Sequence, residues 1–257
     1  MIRLKTKEEI AILREGGRRH ARILRELKDL TVPGVSSFDL EKKARELIHR
    51  EEGEAAFLDY TPEGAARPYP AALCFSVNDE VVHGIPNEKE YIVKDGDVIT
   101  LDLGFVYKGL ITDSAITVIA GKGTDESKKL VRATREALEA GIKVVQPGKF
   151  VGDIGAAVEK VAHEYGCSLA KGLSGHGVGY EVHEDPFVPN EGARGTGEEL
   201  VSGMVIAIEP MLTLGGGKVT FDKGDGYTYR TKDGSLAAHF EHTVAVTDEG
   251  YVVLTVE

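Results

Sequence analysis

The sequence predicts an α+β fold built from two related halves that meet over a shared sheet. Three observations carry this reading. Helical runs followed by strongly apolar strands occur twice in the same order. Pro33-Gly34 and Asp39-Leu40 reappear as Pro147-Gly148 and Asp153-Ile154, at one offset of 114. Gly96 to Asp102 reappears as Gly203 to Glu209, at an offset of 107. One such offset would mean little in a chain with 31 glycines. Two in matching order, each ending on a turn or an acid, point to a repeat with halves at about 1–120 and 121–257 of a single domain. The repeat puts Glu209 where Asp102 stands in the first half.

Thr6-Lys7-Glu8-Glu9 reads as a capping box, and Ile10, Leu13, Gly17, Ala21, Leu24 and Leu27 follow at helical spacing until Val32-Pro33-Gly34 stops the run. A second helix follows Ser36-Ser37, buries Leu40, Ala44, Leu47 and Ile48, and ends near Glu52-Gly53. Turn residues dominate from Phe57 to Pro70, which reads as a loop whose 59–67 section is long enough to reshape a site entrance. Leu73 to Val82 reads as strand, turn and strand, delivering His83-Gly84-Ile85-Pro86. In the second half Thr124 opens a helix with Leu130, Ala137, Leu138 and Val145 inward. Gln146-Pro147-Gly148 closes it, and Asp153-Ile154 starts another that runs to Tyr165-Gly166. The segment from Gly224 to Gly234 reads as a flexible hairpin without an assigned role.

Composition bounds what this fold can do. A chain of 257 residues with 42% apolar and 28% charged residues can bury a substantial core. The net charge of -11 disfavours nucleic acid and anionic membrane as partners. Cys74 and Cys167 lie far apart and form no CxxC pair, so the chain reads as intracellular, without a disulfide framework or a thiolate zinc site. The charged N-terminus lacks the pattern of a signal peptide, and no apolar run is long enough to span a membrane, which makes the cytoplasm the default location.

The central stretch is Val98 to Thr117, two apolar β-rich runs around Tyr107-Lys108-Gly109 that each carry one acid, Asp102 and Asp113. A hairpin folded about Tyr107 and Lys108 sets the two acids directly opposite, with Cβ atoms roughly 4.5–5.5 Å apart. Burial and mutual repulsion then oppose a double negative charge, so the pair shares a proton or holds a cation. Two further apolar strands carry lone acids, Glu209 at the end of Met204–Pro210 and Glu241 within Ala237–Val246. His176, between glycines in Gly175-His176-Gly177-Val178-Gly179, supplies a neutral ligand. One imidazole with four carboxylates suits two hard or borderline divalent ions such as Mn, Fe, Co or Zn. Two such ions activate water and polarise a carbonyl, which predicts a hydrolase. His83 and His183 are placed to contact its substrate and the developing oxyanion.

Nine pieces in order resemble the methionine aminopeptidases of the short bacterial type. They are Tyr69-Pro70 to Cys74, Ser76-Val77-Asn78, Val82-His83-Gly84-Ile85-Pro86, Leu101-Asp102-Leu103-Gly104, Thr112-Asp113, the Gly175–Gly179 run, His183-Glu184-Asp185-Pro186, Ile208-Glu209-Pro210-Met211 and Phe240-Glu241-His242-Thr243. The resemblance implies a "pita-bread" fold, with a curved, mainly antiparallel central sheet covered by helices, a dinuclear metal centre, and removal of initiator methionine from nascent polypeptides. It implies a monomer, with the ribosome as an optional partner. By position Asp102 would chelate one ion, His176 and Glu209 the other, and Asp113 and Glu241 would bridge. Glu209 would also act as general base and acid, His83 would meet the substrate near its amine and scissile nitrogen, and His183 would stabilise the carbonyl oxygen. Tyr69 and Cys74 match the side-chain pocket. Val182 stands where the family commonly has an aromatic, and the chain has no tryptophan, so the resemblance supports the metal chemistry more than strict methionine selectivity. Losing aromatic walls weakens apolar discrimination by about 1–3 kcal/mol.

Proline dipeptidases and aminopeptidase P share the five ligands and form the nearest rival. They usually carry an N-terminal domain, for which about 97 residues before the first ligand strand leave no room, and an Arg-x-Glu-Asp sequence where this chain has His239-Phe240-Glu241-His242-Thr243. Non-catalytic modules of the same fold are a second rival, and they typically lose the ligands kept here.

Overall fold

A computed structural model describes all 257 residues. Helix α1 (Lys7–Leu30) begins at the expected capping box, where the Thr6 hydroxyl accepts from Glu9 N (3.2 Å) and the Glu9 carboxylate accepts from Thr6 N (2.8 Å). Helix α2 (Ser37–Arg50) is capped by Ser36, and α3 (Asp125–Lys143) by Thr124. Helix α4 (Val151–Glu164) starts earlier than Asp153, because Asp153 serves at its third position, where the carboxylate accepts from Phe150 N at 2.9 Å. No helix is long and apolar enough to cross a membrane.

The helices enter the halves in the same way. Gly34 N donates to Val93 O (2.8 Å) and Gly148 N to Leu200 O (3.0 Å). Ser36 bridges to Ile92 and Phe150 to Glu199, and these pairs differ by the same 114 and 107 that relate the sequence motifs. The backbone repeats what the offsets describe.

The first half carries a four-stranded antiparallel sheet, with Val98–Tyr107 joined to Glu54–Ala55, Leu73–Val77 and Leu110–Ile119. Alternation sends Leu101, Leu103 and Phe105 into a core shared with Leu24, Leu40 and Leu47 of α1 and α2. Asp102 is left on the opposite face. The second half carries a five-stranded antiparallel sheet of Gly250–Val253, His242–Thr247, Val205–Ile208, Gly175–Gly177 and Glu184–Val188, in that spatial order. Ile206, Ile208 and Val244 pack there against Leu130 of α3 and Ile154 of α4.

Two strand expectations need correction. The central hairpin turns at Lys108-Gly109, so Asp102 pairs with Ala115 and Gly104 with Asp113. Both turn residues have positive φ, 50° and 78°, the conformation that a two-residue hairpin matched to strand twist demands and that Gly109 adopts freely. The acids are therefore diagonal neighbours on one face. The second correction concerns Ala237 to Val246, which is two strands, Ala237–His239 and His242–Thr247, in different sheets. Glu241 lies in the gap. The 224–234 segment also takes part in regular structure, since Tyr229–Thr231 pairs with both Val219–Phe221 and Glu80–Val82.

Hydroxyl groups stitch the halves together beside Glu241. Thr243 Oγ1 accepts from Asp113 N (2.8 Å) and donates to Asp113 O (2.7 Å), and Ser114 Oγ donates to Glu241 O (2.7 Å). Glu241 N donates to Ala115 O (2.9 Å). Thr117 Oγ1 donates to His239 O (2.6 Å) and accepts from His239 N (2.9 Å). Thr243 is fully buried, and removing its hydroxyl would strand a donor and an acceptor that have no route to water. Thr243→Val should therefore lower unfolding free energy by about 1–3 kcal/mol, measured by urea denaturation, while Thr243→Ser stays near the parent. An unchanged urea midpoint for the valine variant would show that the seam is not held by this hydroxyl.

Candidate metal centre

All five expected ligands come from strands or strand ends facing this seam. Asp102 and Asp113 project from the hairpin, and Glu209 follows Val205–Ile208. Glu241 sits between two strands, and His176 is central to Gly175–Gly177. The glycines beside His176 have a packing cause. A Cβ on Gly175 would lie 2.3 Å from Ala207 O, and one on Gly177 would lie 2.1 Å from Asp185 O, so the strand fits between its neighbours only without side chains there.

The four carboxylates are buried. A carboxylate oxygen of Asp113, a nitrogen of His176 and a carboxylate oxygen of Glu241 lie within 4.8 Å of one another. His176 Nε2 is 3.3 Å from Glu209 Oε1 and 3.9 Å from Asp113 Oδ2. Asp102 Oδ1, Asp113 Oδ1 and Glu241 Oε1 are buried without a hydrogen-bond partner. Oxygens that only accept, gathered without donors, are what a cation site requires and what a protein core otherwise avoids. His176 is prepared as a neutral ligand, because its Nδ1 lies 2.9 Å from Gly177 O, a pure acceptor, which fixes the proton on Nδ1 and leaves the Nε2 lone pair toward the acids. The donor set is oxygen and imidazole and fits a hard or borderline divalent ion.

Burial sets the charge states. Asp102 is pushed up to about 7 by desolvation, with the Glu209 charge adding and His239 opposing. Desolvation likewise raises Asp113, Glu209 and Glu241 well above the usual carboxylate range, with the neighbouring acids adding for Asp113 and Glu241. It depresses His176 to about 3 and His83 to about 4, and lowers His183.

The acids form one end of a cavity of about 350 Å³. His83 and His183 line it, as do Tyr69 and Cys74. Tyr69 donates to Gly84 O at 2.8 Å and so anchors the turn that carries His83, whose own φ is 62°. The His183 ring meets the His176 ring edge-on at 4.5 Å.

Sequence reasoning missed several residues here. The apolar end of the cavity, thin in aromatics by expectation, gains rings from Phe57 and Tyr227, which cluster with Tyr69, Cys74 and Val182. Tyr69 and Tyr227 meet edge-to-face at 5.0 Å. Neither added ring lies on a periodic element, so no pattern in the sequence marks it. His239 is also at the centre. It is buried, both ring nitrogens lack a hydrogen-bond partner, and Nε2 is 3.4 Å from Glu209 Oε2. The carboxylate of Glu209 thus lies between two imidazoles. Spacing of two from Glu241 was the available signal.

Comparison with known proteins agrees with this geometry. The model of metallopeptidase family M24 matches residues 11–248. The chain belongs to metallopeptidase family M24. Among curated relatives of this M24 chain, a methionine aminopeptidase of Aquifex aeolicus is 49% identical over 99% of this chain and 98% of its own length. Methionine aminopeptidase 1 of Mycobacterium tuberculosis is 44% identical over 91% of this chain and 88% of its own. The crystal structure of methionine aminopeptidase from Thermotoga maritima superposes over the full length of both chains, with a TM-score of 0.94 and 42% identity. A prolidase from Pyrococcus furiosus shares the fold, with a TM-score of 0.72 at 21% identity, and the match covers 65% of that chain. This M24 metallopeptidase has the pita-bread fold and uses divalent metal.

Linkage gives a pH test of the acid cluster. The folded-state value of Asp102, about 7, lies above its unfolded value of about 4. The folded form therefore holds the proton more tightly. This contribution is full below the unfolded value and is lost as pH rises through the folded one. Below about pH 6.5 the buried histidines act in the opposite sense, because His176 at about 3 and His83 at about 4 bind their protons only in the unfolded chain. The urea midpoint of the chelator-treated protein should therefore fall from about pH 7 to about pH 8, and a saturating divalent ion should reverse that loss. A metal-free midpoint that climbs over this interval would contradict the buried cluster.

Proposed function

We propose that this M24 enzyme removes methionine from the N-termini of peptides and new polypeptides, using two divalent ions held by Asp102, Asp113, His176, Glu209 and Glu241. The observation that carries the reading is the junction of two opposites in one cavity, unpartnered buried acids at one end and an apolar aromatic box at the other. When bound, the ions supply the polarisation of the scissile carbonyl and the acidity of the attacking water. Cobalt, manganese, iron and zinc all suit the donor set.

The protein groups then divide the work. Glu209 takes the proton from the attacking water and returns it to the leaving amine, a role suited to a carboxylate whose burial raises its proton affinity. His183 donates a hydrogen bond to the carbonyl oxygen as negative charge develops there, and His83 contacts the substrate near the scissile nitrogen. Phe57, Tyr69, Cys74, Val182 and Tyr227 receive an unbranched apolar side chain. A thioether fits this box well, since sulfur packs favourably at aromatic edges. The relatives' names and the near-complete mutual coverage favour this substrate over a proline dipeptide.

Release of Met, Leu and Xaa-Pro N-termini by the metal-loaded protein tests the substrate, and methionine release from a Met-Ala-Ser peptide should dominate. Preferential hydrolysis of Xaa-Pro would transfer the chain to the prolidase reading. Asp113→Asn should abolish hydrolysis and the metal-dependent rise in Tm while the protein still folds, and full retained activity would remove the bridging role. His83→Ala should lower kcat more than metal occupancy, and a variant purified without metal would reassign His83 as a ligand.

A further inference from the structure

The 59–67 loop and the 224–234 segment meet beside the cavity, which Tyr60, Pro62 and Tyr227 line. The long loop is closed at its neck by Asp59 N donating to Tyr69 O (2.9 Å) and Tyr69 N donating to Tyr60 O (2.8 Å). Beyond the neck, the Arg67 guanidinium donates to Asp225 O from Nε (3.2 Å) and Nη2 (2.6 Å), and its Nη2 donates to Glu88 Oε2 (2.9 Å). The Tyr227 hydroxyl donates to Arg67 O. This clasp ties the loop to the segment that supplies a wall of the substrate box. At the neck, the half-buried Tyr60 places its hydroxyl 2.9 Å from Nδ1 of His183, with ring centroids 5.5 Å apart.

We propose that Tyr60 is a positioning residue for the peptidase reaction, its hydroxyl donating to His183 Nδ1 and thereby fixing that imidazole as the Nε2–H tautomer. This rests on the reading of His183 as the donor to the carbonyl oxygen. A neutral imidazole has one donating and one accepting nitrogen, and the partner of one decides the state of the other. Were Nδ1 to carry the proton, Nε2 would present a lone pair to an oxygen gaining negative charge, which is repulsive. A hydroxyl can rotate to donate, and Tyr60 Oη has no other hydrogen-bond partner. His183 Nε2 has no protein partner either, which leaves its proton for the substrate. The edge of His176 braces the ring from another side at 4.5 Å.

The test compares Tyr60→Phe, His183→Ala and the double variant as metal-loaded enzymes on a Met-Ala-Ser peptide. Tyr60→Phe keeps the ring and removes only the hydroxyl. It should lower kcat by about 10- to 100-fold with KM within about twofold, and leave metal content and Tm unchanged. His183→Ala should lose at least as much, and the double variant should be no slower than His183→Ala alone, because Tyr60 acts through the ring that is gone. In the zinc-loaded protein, ¹⁵N shifts of His183 should report the Nε2–H tautomer in the parent and a mixture in Tyr60→Phe. A parental kcat for Tyr60→Phe beside a slow His183→Ala would overturn the role of Tyr60 alone, as would losses that multiply in the double variant. Full activity of His183→Ala would overturn the oxyanion reading and Tyr60 with it.

Discussion

Four carboxylates buried around one point are the constraint that the rest of the structure answers to. Each ionised acid would cost several kcal/mol if left alone in low dielectric, and Asp102, Asp113 and Glu241 each have an oxygen without any donor. Such an arrangement persists only on a scaffold that cannot relax to relieve it. The hairpin, both helix-backed cores and the hydroxyl seam serve that end, since they fix the backbone from which every acid projects. The cluster is expensive without a cation and well formed for one.

The shared fold explains why architecture alone does not choose the substrate. A prolidase and an Xaa-Pro dipeptidase, at 21% and 23% identity, superpose on nearly the whole chain, so the fold is common to them. On the proposed reading selection falls to the other end of the cavity, where loops supply Phe57, Tyr69 and Tyr227 and a strand supplies Cys74. In this chain the Phe57 and Tyr227 rings restore the aromatic surface that Val182 withholds. The geometry that discriminates among side chains is thus more local than the geometry that performs hydrolysis.

The same division explains what could be read from the sequence. Caps, helix stops and lone acids on apolar strands obey short-range rules, and Thr6, Pro33, Thr124 and the five candidate ligands could be recognised from them. The register of the central hairpin depends on which two residues hold positive φ, and Tyr107-Lys108 and Lys108-Gly109 are separated by one step in the sequence. That step shifts the pairing of Asp113 from Asp102 to Gly104 while keeping the acids on one face. The break at Phe240-Glu241 was hidden, because a strand that passes from one sheet to another keeps its apolar pattern. His239 and Tyr60 gain their meaning from partners 30 and 123 residues away, Phe57 gains its own from a cluster gathered from several loops, and no periodicity encodes such meetings.

The break beside Glu241 has a consequence for assembly. A chain growing from its N-terminus presents Asp102 and Asp113 long before the segment that lies against them through Thr243 and Ser114 exists. Until that late stretch emerges, the hairpin edge has no mate and the acids lack their last companion. The acid cluster is therefore completed only once the segment carrying Glu241 and Thr243 has been made, Thr243 lying 130 residues beyond Asp113.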